Sequence, residues 1–562
     1  MSLIARQKTR PPHSIEILLY IKQTEGMTKY ILVTGGVISG LGKGIIASST
    51  GLLLQTLGVN VTAIKIDPYL NIDAGTLSPL DHGEVFVLED GGEVDLDLGN
   101  YERFLNVTLS RDNNITTGKV YKQVIERERR GDYLGKTVQV VPHVTDAIQD
   151  WIQRVGEAGA RDGVCMIELG GTVGDIESAP FIEALRQFQF RVGHDNFAVI
   201  HVSLVPVIDS VGEQKTKPTQ ASVRELRSAG LLPDVIACRS SVALTPSAKD
   251  KIAMFCHVDT SQVFSVHDCS CVYGVPALLE SQGLVTYLQK RLQISGTIPN
   301  ETLWNRWKQL AIPPQLDSPA IRIALVGKYT HLHDAYISVT KALQHAASSL
   351  DRYVQVQWIE ADHLESCSTS AWDMLRSSHG IIVPGGFGDR GIQGKTLAIT
   401  WARENKVPFL GLCLGMQLAV MEFARNVCGL DVVHEEFDSG SAIIKHMPEV
   451  RKDTLGATMR LGSCIVRFVS PCALRDLYGG AVNVTERHRH RYEMNADYCQ
   501  RLEADGMRFV AFDPSGTRVE AVELESAAFF VGTQFHPEYT SRVVSPSPPF
   551  IGLVEAAAVM AG

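Results

Sequence analysis

The chain has 562 residues, 45% of them hydrophobic and 20% charged. That length and mix exclude a wholly disordered, collagen-like or coiled-coil chain and leave room for two to four domains of roughly 150 residues each. Lys plus Arg number 53 against 62 Asp plus Glu, a net charge of −9. No nucleic-acid polymer is expected as a partner, and an anionic substrate must be held by local basic groups and backbone N–H donors.

Residues 1–26 read as an N-terminal extension, expected to be disordered, ahead of a domain that starts at Met27. The apolar run Ile15–Ile21 is short and interrupted by Glu16. No run reaches the ~18 apolar residues that span a bilayer, so no membrane partner is expected and the protein reads as cytoplasmic. The 11 cysteines are odd in number and irregularly spaced, which fits reduced thiols. Cys269 and Cys271 form a lone C-x-C without a second pair at zinc-ligand spacing.

The first β-rich run is Lys29–Thr34, followed by a glycine-rich turn, a helical pattern over Gly44–Leu57 and a strand over Val61–Ile66. Further buried-strand patterns are Val164–Leu169, Phe197–Val205 and Val235–Cys238. Short apolar runs alternating with helical segments predict a parallel sheet covered on both faces. The turn Gly35–Gly44 contains Ser39, Gly40, Leu41, Gly42 and Lys43. Glycines there let N–H groups close around phosphates, and Lys43 can reach the terminal ones. Its spacing is one residue longer than a standard P-loop, and Gly44 stands where Ser or Thr normally contacts magnesium. Metal must then be held elsewhere. Glu93, Asp95 and Asp97 alternate and would share one face of an extended chain, while Glu168 closes a strand. Asp97 and Glu168 are the candidate magnesium carboxylates. Lys215-Thr216-Lys217-Pro218-Thr219-Gln220 is expected to form a proline-stiffened loop suited to a polyphosphate.

Residues 292–319 contain Pro299, Pro313, Pro314 and Pro319 around an amphipathic piece with Trp304 and Trp307, and read as a linker with one helix. The strand rhythm restarts at Ile321–Val326 and continues at Gly380–Val383, Phe409–Leu412 and Phe529–Gln534. Gly411-Leu412-Cys413-Leu414-Gly415 is the thiol analogue of a nucleophile elbow, with Cys413 aimed along a helix N-terminus that lowers its pKa. His536 and Glu538, two residues apart after a strand and expected on one face, supply a base and its orienting carboxylate. Gly385–Gly388 can offer N–H donors to an oxyanion. The run Arg487-His488-Arg489-His490-Arg491 is too short for nucleic acid in an acidic chain and reads as a site for a substrate carboxylate.

From residue 27 onward the chain closely resembles the CTP synthase family. The resemblance is carried by VTGGVISGLGKG, KIDPYLNIDAGT, HGEVFVLEDGGEVDLDLGNYERF, GDYLGKTVQVVPH, ELGGTVGDIES, GEQKTKPTQ, GLCLGMQ, GATMRLG, ERHRHRYE and QFHPE, in this order across both halves. It implies α/β architecture with two doubly wound, mainly parallel-sheet domains: a P-loop-type synthetase (amidoligase) domain over 27–291 and a class I glutamine amidotransferase domain over 320–562. It implies amination of UTP to CTP at the expense of ATP and glutamine, through a 4-phosphorylated UTP and a glutamyl-thioester on Cys413, with ammonia crossing an internal passage. Residues 39–45, Ser39 to Ile45 and Gly44 included, would cradle ATP phosphates, with Lys43 and Lys65 acting on the transferring phosphate. His267, Asp268 and Cys269 would lie near the ATP base, and Asp97 and Glu168 would hold Mg2+. Ser39, Asp175, Ile176, Glu177, the stretch Lys215, Thr216, Lys217, Pro218, Thr219, Gln220, and Lys251 would bind UTP or CTP. Gly386, Leu414, Gly415, Met416, Gln417, Glu436 and Arg491 would hold glutamine, and Arg460 belongs to a lid tied to GTP activation. The family further implies inhibition by CTP, a homotetramer and filaments, with no organic prosthetic group. Residues 1–26 and the HEEFDSG stretch around Glu436 depart from the pattern. Two rival readings are another P-loop amidoligase, disfavoured by KTKPTQ and GDIE, and a catalytically dead scaffold, disfavoured by the presence of Lys43, Lys65, Asp97, Glu168, Cys413, His536 and Glu538.

Overall fold

The computed structural model describes residues 27–208, 212–294, 298–311, 320–450 and 458–562. The N-terminal extension and the proline-rich stretch 312–319 of the linker lie outside these residues. The chain forms two compact units: residues up to Leu70 with Ile115–Lys308, and Asn71–Asn114 with Gln309–Gly562.

The first unit is built on a seven-stranded sheet in the order Val263–His267, Val235–Ser240, Phe197–Leu204, Lys29–Gly35, Val164–Leu169, Val61–Asp67, Asn114–Thr116. Every neighbouring pair from the first of these to Val61–Asp67 is parallel. The central strand explains its own sequence. Tyr30 to Val33 are all buried, because helices cover both faces and no position can alternate to polar. One face packs Leu32, Ile64 and Ile167 against Ile148, Ile152, Leu185 and Phe188 of the helices Thr145–Gly159 and Ala179–Val192. The expected strands are present within one or two residues. The amphipathic piece with Trp304 and Trp307 is the helix Glu301–Ala311, and buried Trp307 donates its indole N–H to the Tyr273 carbonyl.

One expectation fails in this unit. Lys217–Gln220 is not loop; it opens the helix Lys217–Ser228. Pro218 is the reason. In the first turn its missing N–H costs nothing and its fixed φ is already helical.

The second unit has a nine-stranded sheet in the order Val354–Glu360, Ile321–Gly327, Gly380–Val383, Phe409–Leu412, Phe530–Thr533, Val519–Leu524, Met507–Phe512, Arg460–Phe468, Asn483–His490. The first five strands run parallel and the rest form an antiparallel wing. Ile381 and Val383 face one apolar cluster and Ile382 the opposite one, so the parallel part is buried on both sides.

The excursion Asn71–Asn114 belongs to this second unit. It carries the hairpin Val85–Val87/Glu93–Asp95 and the helix Leu96–Leu105. Fully buried Glu102 accepts from Arg487 (2.7 Å) and from Arg542 (2.7 Å), and Glu93 pairs with Arg489 at 2.9 Å. The basic run 487–491 is therefore largely internal. Arg487 and Arg489 neutralise carboxylates of this excursion, and His488 bonds Glu520 at 2.8 Å. Removing one member of such a pair would leave a buried charge uncompensated, at about 3–5 kcal/mol. The alternation expected for Glu93, Asp95 and Asp97 also breaks here. The strand ends at Asp95, whose side chain caps the helix by accepting the Asp97 N–H at 3.1 Å, so Asp97 sits in a first helical turn and not on the strand face.

Candidate active site

In the first unit the polar side chains gather at the carboxyl ends of the parallel strands, where ligands bind in such sheets. After Lys29–Gly35, Gly40 and Gly42 adopt φ of +74° and +85°. A Cβ at either would meet nothing, so glycine is needed there for conformation alone. Val37 to Gly40 are exposed, and Gly42 is the N-cap of the helix Lys43–Thr56, so the turn lies open at the positive helix end. Lys43 is buried and its Nζ donates to the Gly171 carbonyl at 2.6 Å.

Beneath the turn, His201 hydrogen-bonds Thr34 Oγ1 at 2.9 Å and Ser222 Oγ at 2.6 Å. Burial, reinforced by Lys43, presses the His201 pKa down to about 3, so the imidazole is neutral. Lys65 Nζ lies 3.3 Å from Glu168 Oε1 and 3.7 Å from Asp67 Oδ1, all three side chains buried. Asp67 was not singled out by the sequence, although it closes the same strand as Lys65.

The remaining expected contacts of this unit are more exposed. Asp175 accepts the Thr172 N–H at 3.0 Å, and Ile176 is 84% exposed beside exposed Glu177. Lys215 pairs with Glu213 at 2.5 Å, Lys217 lies over the Phe255 ring, and Gln220 donates to Thr216 Oγ1 at 3.0 Å. Thr219 is buried, with its hydroxyl on the Leu204 carbonyl, while Lys251 is exposed. His267 ends its strand, Asp268 pairs with Arg239 at 2.5 Å, and exposed Cys269 has its pKa raised by partial burial. Asp97 belongs to the second unit, Glu168 to the first.

In the second unit Cys413 stands between the strand Phe409–Leu412 and the helix Leu414–Asn426, at φ 52° and ψ −103°. Such a backbone stores about 1–3 kcal/mol and turns the side chain out of the strand. The flanking glycines are needed for space. A Cβ on Gly415 would lie 1.9 Å from the Val383 carbonyl oxygen, and one on Gly411 would lie 2.8 Å from the Gly415 backbone. The Leu414, Gly415 and Met416 N–H groups open the helix of which Cys413 is the N-cap.

His536 Nδ1 lies 2.7 Å from Glu538 Oε1, and the Tyr539 ring stacks on the imidazole at 5.0 Å. The pair meets because Pro537–Thr540 turns into a helix with His536 as its N-cap, not because an extended chain puts both on one face. Burial opposes the imidazolium, but Glu538 and Cys413 outweigh it and raise the His536 pKa.

Gln534 completes the surroundings. Its Nε2 reaches Cys413 Sγ at 3.6 Å, its Oε1 accepts from Gln417 at 3.0 Å, and Gln417 in turn meets His434 at 3.1 Å. Gln417 also donates to the Tyr492 carbonyl at 2.8 Å and its N–H to Cys413 O at 3.1 Å. Its groups are thus engaged in holding the elbow. Glu436 accepts the Gly388 N–H at 3.0 Å, and its burial raises its pKa. Half-buried Arg491 follows the last strand of the sheet. Arg460 is tied to Glu520 at 2.7 Å. A cavity of about 80 Å³ opens on Cys413 and His536, with Glu84, Val85, Tyr336 and Val339 among its walls.

The family described as "CTP synthase N-terminus" matches residues 29–294, and "Glutamine amidotransferase class-I" matches 331–556. The CTP synthase of Schizosaccharomyces pombe is 57% identical over 557 residues, covering 94% of this chain and 92% of that protein. CTP synthase 1 of Homo sapiens is 56% identical over 545 residues, again 94% and 92%. A solved Trypanosoma brucei CTPS glutaminase domain is 39% identical, covers 43% of this chain and 94% of that one, and has a TM-score of 0.40. The chain belongs to the CTP synthase family, ATP-dependent ligases of pyrimidine biosynthesis that convert UTP to CTP with nitrogen from glutamine.

Proposed function

We propose that Cys413 releases ammonia from glutamine and that the strand-end residues of the first unit activate UTP to receive it. The observation that carries the reading is the assembled Cys413, His536 and Glu538, with His536 and Glu538 2.7 Å apart. Cys413 thiolate attacks the glutamine amide carbon, and the oxyanion is held by the Gly386 and Leu414 N–H groups. His536 gives its proton to the leaving nitrogen, so ammonia departs and a glutamyl-thioester remains. Water, deprotonated by His536, then releases glutamate and restores the thiolate. Gly386, Leu414, Gly415, Met416 and Glu436 line the substrate, and Arg491 takes its carboxylate.

In the first unit the turn Ser39–Ile45 holds ATP phosphates. Lys43 and Lys65 balance charge as the γ-phosphoryl passes to O4 of UTP. Ammonia displaces that phosphate at C4, yielding CTP, ADP and phosphate. Ser39, Asp175, Ile176, Glu177, Lys215 to Gln220 and Lys251 hold the pyrimidine triphosphate, and His267 to Cys269 flank the ATP base. Among the described residues no group of three metal-type ligands occurs. The single buried carboxylate of Glu168, 3.3 Å from Lys65, is of a kind magnesium uses, since that ion keeps phosphate oxygens and water as most of its ligands. In the first unit Glu168 would hold it, and when bound it would neutralise the charge of the transferring phosphate. No organic prosthetic group enters this scheme. In sequence the synthetase part is 27–291 and the glutaminase part 320–562, joined by 292–319.

The same reading includes GTP as activator acting through Arg460, CTP as product inhibitor, a homotetramer that polymerises into filaments, and a cytoplasmic setting. No helix among the described residues is long and apolar enough to cross a membrane.

The test is ultraviolet detection of CTP from UTP and ATP with either glutamine or ammonia. Cys413→Ala abolishes glutamine-dependent formation while ammonia still serves; Lys43→Ala abolishes both. Full glutamine use by Cys413→Ala would refute the thioester.

A further inference from the structure

The loop 384–388 lies against the reacting pair. A Cβ on Gly385 would come within 3.2 Å of the His536 ring and 3.7 Å of Cys413 Cβ. Its peptide groups are held by two lysines. Lys395, with no solvent exposure, donates from Nζ to the Pro384 carbonyl at 2.8 Å and the Gly385 carbonyl at 3.4 Å. Lys328, 1% exposed, donates to the Phe387 carbonyl at 3.1 Å and to the Gly388 carbonyl. Four carbonyls of the loop are thereby engaged by the two amino groups. Glu436 takes the Gly388 N–H, whereas no described acceptor takes the Gly386 N–H.

Lys395 is a costly residue at this place. It lies in the first turn of the helix Ile392–Glu404, where the helix dipole disfavours a cation, and it is fully buried. Burial pushes its pKa well down, followed by the neighbouring Lys328. Charged or neutral, the amino group still has hydrogens for both carbonyls. An apolar side chain of the same length would fill the space with less penalty, so packing alone does not account for a lysine.

We propose that Lys395 is a positioning residue for glutamine hydrolysis: by holding the Pro384 and Gly385 carbonyls away from the thiol, it presents the Gly386 N–H to the developing oxyanion. This rests on the thioester reading above. The loop geometry matters most when the oxygen carries charge, so the effect falls on the tetrahedral state and not on bound glutamine.

Lys395→Met keeps the length and removes the donors. The probe is the γ-aldehyde analogue of glutamine. The Cys413 sulfur adds to its aldehyde carbon, a C–S bond forms, and the former carbonyl oxygen takes the oxyanion position. In Lys395→Met the aldehyde should bind roughly 10- to 100-fold more weakly and glutamine-dependent kcat should fall by the same factor, with the KM for glutamine changed less than about twofold. Lys395→Gln, which restores an N–H donor, should recover part of the loss, and the unfolding midpoint of each variant checks the fold. Unchanged aldehyde affinity would overturn the proposal, as would equal losses in aldehyde affinity and glutamine KM, or no recovery in a folded Lys395→Gln. If Cys413→Ala still hydrolyses glutamine, the thioester reading itself has failed. If Cys413→Ala is inactive and Lys395→Met is not impaired, only the role of Lys395 has.

Discussion

The turn Gly35–Gly42 of the first unit and the turn at Cys413 in the second are both strand, glycine-rich turn, helix, yet glycine serves different ends in them. At Gly40 and Gly42 the backbone is left-handed and the surroundings are open. At Gly411 and Gly415 the backbone is ordinary and the surroundings are full, while the strained residue is Cys413 itself. The first turn is open to solvent. The second holds a buried thiol in one cavity with the His536 imidazole. The electrostatics diverge too: neutral His201 underlies the first, and an imidazole driven towards its charged form flanks the second.

The largest expected effect lies in the second turn. Glu538→Gln should lower glutamine-dependent kcat by roughly 10²- to 10⁴-fold, because His536 loses the carboxylate that orients and charges it. Stopped-flow or steady-state glutaminase assays would show this, and a loss under tenfold would mean the 2.7 Å contact is only structural.

Gly415→Ala should be next. With 1.9 Å to the Val383 oxygen, the strand and helix must separate, at about 3 kcal/mol by denaturant unfolding. Gly42→Ala should cost less, about 1–2 kcal/mol, since only the left-handed backbone resists it. It should chiefly raise the KM for ATP. Equal costs for the two substitutions would erase the distinction drawn between the turns.

The smallest effect concerns pH. The folded His201 stays neutral to about pH 3, whereas the unfolded chain takes up a proton near pH 6.5. Below that value the unfolded state binds more protons, so stability falls as pH falls. Between pH 7 and 5.5 the loss from this residue should be about 1 kcal/mol. His201→Gln should remove that slope; an unchanged slope would place the proton elsewhere.

The parallel strands were legible because a strand covered on both faces needs an unbroken apolar run, as in Tyr30–Val33. Cys413 was legible because Gly411 and Gly415 flank it at a spacing that only an elbow requires. The antiparallel wing was not, because its inward positions include Arg487, His488 and Arg489, whose partners lie far off in sequence. Alternation was lost behind what looks like a surface basic run. Lys328 and Lys395 were missed for a related reason. A lysine reads as solvated unless one knows which carbonyls will surround it, and those carbonyls belong to a loop. The shared face expected for Glu93, Asp95 and Asp97 failed because a two-residue alternation does not say where Asp95 will stop a strand and cap a helix.

The excursion Asn71–Asn114 has a consequence for synthesis of the chain. Glu102 is made 385 residues before Arg487 and 440 before Arg542. At roughly 5–20 residues per second the ribosome leaves that carboxylate without its arginines for about 20 to 90 s. Throughout that wait the hairpin and helix of the excursion emerge with apolar faces uncovered, while the strands around them can already pair. The nascent chain thus passes through a stage at which its first sheet is complete in outline and a loop of 44 residues hangs from it unfinished, the stage at which a chaperone would have most to hold.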